Sequence, residues 1–173
     1  MPVAILTCTV VSRRFLIEKI KKTDPYLHND GNFLMGDTQL WAELSTLSKI
    51  HFIKESFSTH RILEESASNS KNVKNNISFQ ISSNNLMLYL CNKYNLTSSL
   101  VSVYEAKIQN NKLDLAFYEM DSSLAEEVRR RKKKFTWTQW IKFFGSKYKI
   151  VNIFLSFGYL CKNLKLNKNA KWN

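Results

Sequence analysis

Residues 36–41, Gly-Asp-Thr-Gln-Leu-Trp, set a carboxylate between a glycine and the first residues of an apolar-periodic run, Leu40, Trp41, Leu44 and Leu47. The pattern has two chemical readings. An acid at a helix start accepts hydrogen bonds from free backbone N–H groups and suits the positive end of the helix dipole. An acid held rigidly at the same place can instead take a proton from a bound hydroxyl, because a general base needs a fixed position beside the proton it removes. The apolar residues that anchor the helix serve both readings and do not separate them. Trp41 reads in the same two ways, as core or as the wall of a sugar-binding surface.

Other reactive side chains are sparse. His28 falls in a turn-rich segment, and His51 and His60 fall on two short extended pieces, with no HExxH or similar metal-ligand spacing. Arg61 stands at the end of the second piece, where a guanidinium could clamp a phosphate or pair with Glu64 and Glu65. There is no glycine-rich phosphate loop, no nucleophile elbow and no paired CxxC.

The elements that must position these groups follow from periodicity. Residues 4–11 (AILTCTVV) are β-branched and continuous, which predicts a buried strand, and residues 15–22 predict a short helix. A loop over residues 23–32 leads to a helix beginning beside Asp37, then to strands at Ile50–Ile53 and Phe57–Ile62. A Ser/Asn-rich loop supplies a cap for a helix over residues 77–94, and two more helical patterns cover 100–108 and 113–128. Only four Gly and two Pro occur in 173 residues, which favours long helices. The expected fold class is mixed α/β, with the strands confined to the first third.

The net charge of +12 is unevenly placed. Residues 1–127 hold 13 Lys/Arg against 14 Asp/Glu, whereas residues 128–173 hold the other 13 and no acid. A neutral body with a basic tail calls for an anionic partner, a phospholipid surface or nucleic acid. Arg129, Arg130, Arg131, Lys132, Lys133 and Lys134 are followed by Phe135, Trp137, Trp140, Phe143 and Phe144, and aromatics of this kind favour the headgroup boundary. Trp137, Trp140, Ile141 and Phe144 share one helical face, as in a helix lying in an interface; an ordinary buried helix after a solvated charge run fits the same residues. Base stacking on Trp137 and Trp140 is the nucleic-acid alternative, less favoured because residues 1–127 contain no nucleic-acid-binding module. The apolar run 150–160 is too short to span a bilayer. Cys8, Cys91 and Cys161 are odd in number and far apart, which fits a reducing, cytoplasmic setting.

MGDTQLW, followed some eight residues later by KIHFIKESFSTHRILEESASNS, resembles the second half of a bacterial family 2 glycosyltransferase, and TCTVVSRRFL resembles the strand preceding its acceptor region. The resemblance covers residues 3 to about 95 and implies a GT-A-like domain cut to its acceptor-side part, with 96–173 a helical, basic extension. It implies sugar transfer from a nucleotide-sugar donor to a glycan or lipid-linked acceptor. Asp37 becomes the catalytic base, Gly36 and Trp41 part of the acceptor side, and Arg61 a holder of donor phosphates or of the closing loop. The family's D-x-D, which holds Mg or Mn on the donor diphosphate, does not occur here, nor does its nucleotide-binding half. Leu63 stands where many relatives carry a metal-reaching His, and His60 where Tyr is usual. The chain is therefore expected to be a C-terminal portion, inactive alone, with no metal of its own and a tail that keeps it at the inner face of the cytoplasmic membrane.

Overall fold

The computed structural model of the chain describes residues 9–28, 32–55, 70–132 and 134–153. Of these, 74% are helical and none forms a strand or sheet. The elements are α1 (Arg14–Thr23), α2 (Pro25–His28), α3 (Thr38–Leu47), α4 (Val73–Lys93), α5 (Ser98–Glu119), α6 (Ser122–Arg131) and α7 (Trp137–Lys147).

This corrects the expected α/β class, and with it the GT-A-like assignment. Ile50–Ile53, read as a strand, lies in an irregular stretch with Ile50, Phe52 and Ile53 all exposed. Alternating apolar residues specify a strand only when a neighbouring strand completes the hydrogen-bond ladder and covers one face. No strand exists among the described residues to complete such a ladder. Residues 9–11, the end of the expected first strand, are likewise not in a strand. Residues 4–8, the expected strand Phe57–Ile62, Arg61 and Lys133 lie outside the described residues.

Two compact units divide the chain, one drawn from described residues within 1–71 and 82–104, the other from 72–81 and 105–173. In the first unit α1, α2 and α3 pack on one another. Its core is Leu27, Leu86 and Leu90, joined by Phe33, Met35, Ala42, Met87, Tyr89 and Tyr94. In the second unit α6 packs on α7. There Leu113, Ala116, Ala125, Val128 and Phe143 are buried, with Leu124, Phe135 and Trp140 against them.

Local chemistry sets the helix ends. Asn72 Oδ1 accepts from the backbone N–H of Lys74 at 2.9 Å, opening α4 four residues before the periodicity suggests. At its end Asn95 takes φ 50°, and the Leu96 and Asn95 N–H groups donate to Cys91 O and Asn92 O at 2.9 and 3.3 Å. That paired bonding satisfies the last carbonyls of the helix. Met120 plays the same part after α5, at φ 56°, with the Asp121 N–H on Ala116 O at 2.9 Å. Asp121 then caps α6, accepting from the Leu124 N–H at 3.0 Å. The two helical patterns around 100–128 are thus α5 and α6, broken at Met120 rather than near residue 110.

Candidate functional site

Asp37 occupies the N-cap position of α3, where the sequence pattern puts it. Its side chain makes no capping hydrogen bond, although Thr38 Oγ1 lies 3.4 Å from Oδ1. Its backbone carbonyl accepts from the Trp41 N–H at 3.0 Å and starts the helix. Asp37, Leu40 and Trp41 are half-buried, Gly36 is exposed, and Leu44 is buried one turn further on. A Cβ added at Gly36 would meet open space.

What fixes α3 is an ionic knot that the sequence reading did not single out. Glu43 is buried on the core side of the helix. Lys93, the last residue of α4, places its ammonium 2.8 Å from Glu43 Oε1 and 2.7 Å from Asp24 Oδ2. The Tyr89 hydroxyl donates to Asp24 Oδ2 at 2.8 Å, and the Tyr94 hydroxyl donates to Glu43 Oε1. Asp24 Oδ1 accepts from the Leu27 N–H at 3.0 Å, so the same carboxylate caps α2. Three helices and the end of a fourth thus meet on four polar side chains besides Lys93. The signal was legible: Glu43 lies three residues after Leu40 and next to Leu44, an acid on an apolar stripe, which demands a buried cation.

The ionisation of the knot follows from its geometry. Burial works to raise the Asp24 carboxyl, but the Lys93 ammonium, the Leu27 N–H and the Tyr89 hydroxyl outweigh it and hold the group below its ordinary value. Burial works to lower Lys93, and its bonds to Asp24 and Glu43 outweigh that and push it far up. Burial and the neighbouring carboxylates push Tyr89 and Tyr94 up, so both hydroxyls stay protonated as donors. His28 ends α2 beside the knot; burial drives its imidazole down against the pull of Glu43 and Asp24, and its Nε2 is buried without a hydrogen-bond partner. His51 is exposed. This arrangement is ion-pair architecture, with every charge answered.

No three His, Cys, Asp or Glu side chains among the described residues are grouped to hold a metal. Asp24 and Glu43 are both engaged by Lys93. Cys91 is buried and free.

The basic, aromatic segment divides between inside and outside. Trp140 and Phe143 turn inward, with Phe135 edge-on to both at ring-centroid distances of 5.3 and 6.0 Å. The Arg129 guanidinium lies 5.0 Å over Trp140 and 5.4 Å over Phe135 and donates to Lys132 O at 3.3 Å. Lys132 donates to Asn110 Oδ1 at 2.8 Å, and its burial pushes its ammonium down. Arg131 pairs with Glu127 at 3.3 Å. Arg130 and Lys134 are exposed, as is Trp137 at 79%. Among the described residues no helix is long and apolar enough to cross a membrane.

No protein-family model, curated protein or solved structure matches the chain.

Proposed function

We propose that the chain is the acceptor-side part of a sugar transferase, working at the inner face of the cytoplasmic membrane with a donor-binding part supplied from outside these residues. The observation that carries the reading is the placement of Asp37. It stands at the start of α3, on a helix pinned by Leu44 and the Glu43–Lys93–Asp24 knot. Such rigidity is what a general base requires.

In the reaction the Asp37 carboxylate accepts the proton of an acceptor hydroxyl as that oxygen bonds to the anomeric carbon. The carbon–oxygen bond to the nucleotide diphosphate breaks, and the configuration inverts. Trp41 forms a wall on the acceptor side.

Peripheral attachment is the companion reading, supported by the basic 128–173 region and by the exposed aromatics of α7. Stacking of nucleic-acid bases on both Trp137 and Trp140 is less well supported, since Trp140 is already covered by Arg129 and Phe135. The test is sugar transfer by the chain joined to a donor-binding half, with Asp37 present and with Asp37→Asn. Transfer that depends on Asp37 upholds the reading; transfer indifferent to it removes the base.

A further inference from the structure

α7 carries two apolar faces. Trp140 and Phe143 fill the core of their unit, which is the ordinary use of an amphipathic helix. Trp137, Ile141, Phe144 and, just past the helix, Tyr148 recur at i, i+4, i+7 and i+11 and form a second stripe. Trp137, Phe144 and Tyr148 on it are 79%, 45% and 58% exposed, and Ile150 and Ile153 extend the apolar surface beyond. Exposed apolar side chains gathered along one helix face mark an interaction surface.

Its border is cationic. Arg130, Lys134 and Lys149 are exposed, while Lys142 and Lys147 are held by Asp114 and Glu126. No acid occurs anywhere in residues 128–173. A second copy of the chain would bring the same positive border against itself, which disfavours self-association. An anionic leaflet offers the complement, with headgroup charge for the Lys and Arg side chains and an interfacial layer for Trp and Tyr.

We propose that the Trp137–Ile141–Phe144–Tyr148 stripe is the lipid-contacting face of the protein, so that α7 lies along an anionic membrane surface with Trp140 and Arg129 turned away from it. The inference rests on the peripheral placement proposed above and deepens it by naming the face.

The experiment is co-sedimentation of the full chain with vesicles of phosphatidylcholine, alone or mixed with phosphatidylserine, over a salt series. The wild type binds the mixed vesicles and is released by salt. Trp137→Ser combined with Phe144→Ser lowers the partition coefficient roughly ten-fold or more; because Phe144 also stacks on Trp140, Trp137→Ser alone, at a side chain 79% exposed, lowers it in the same direction with helicity unchanged by circular dichroism. Undiminished binding of the double variant overturns the stripe while leaving charge-driven attachment standing. A wild type that binds neither vesicle overturns both. A wild-type dimer that the double variant loses assigns the stripe to self-association instead and also overturns the proposal.

Discussion

Lys93 holds two carboxylates at once, and its removal measures what the knot contributes. Its side chain and those of Asp24 and Glu43 are largely buried, so Lys93→Met strands two negative charges away from water. Breaking a buried pair from one side costs about 3–5 kcal/mol, which a urea unfolding midpoint will register. Adding Asp24→Asn and Glu43→Gln to Lys93→Met should recover much of the loss, since no uncompensated charge then remains. His28 predicts a pH effect at the same place. Its folded-state pKa is below the ordinary 6.5, so protonation favours the unfolded chain. The stability it confers is complete above pH 6.5 and falls as pH drops toward the folded value; Asp24, held below 3.8, keeps its contribution until pH falls past that range. Thermal midpoints at about pH 7.5 and pH 5.5 should therefore diverge for the wild type and converge for His28→Asn. An equal drop in both would remove His28 from the account.

Helix ends were the part of the architecture most open to sequence reasoning, and also where it slipped. The start of α3 at Asp37 was legible because acid, polar residue and apolar period follow one another directly. The α7 start was not, although Thr136 and Gln139 form a reciprocal capping box, Thr136 N–H donating to Gln139 Oε1 at 2.9 Å. The α5–α6 break was invisible because it falls on Met120, a residue with no turn preference, made to adopt φ 56° by the carbonyls it helps satisfy. A non-glycine side chain there carries strain, so Met120→Gly should stabilise the protein by about 0.5–1 kcal/mol, read as a raised urea midpoint. Asn95→Gly, at the matching position after α4, should give less, because Asn tolerates this conformation. A lowered midpoint for Met120→Gly would mean that its side chain contributes packing that outweighs the strain. The expected strand at Ile50–Ile53 failed for a different reason: strand formation depends on a partner, which local pattern cannot supply.

At the scale of the whole molecule, charge asymmetry was fully legible, while its distribution in space was not. Arg129 and Trp140, which the sequence groups with the basic, aromatic surface, meet each other inside their unit, and the outward stripe instead begins at Trp137 and runs through Phe144. Helical spacing puts Trp137 and Trp140 on one broad face, but only packing against α6 decides where inside ends. The place of Asp37 at a helix start was legible, and so was Glu43 as an acid on an apolar stripe; which cation answers Glu43 was not, because Lys93 reaches it from another helix and stands 69 residues from the Asp24 it also holds. The central claim is that Asp37 takes a proton from a sugar acceptor, and kcat with saturating donor in the chain joined to its donor-binding half tests it most directly. Asp37→Asn should lower kcat roughly 10²–10⁴-fold with donor affinity unchanged; a kcat equal to wild type would contradict the account.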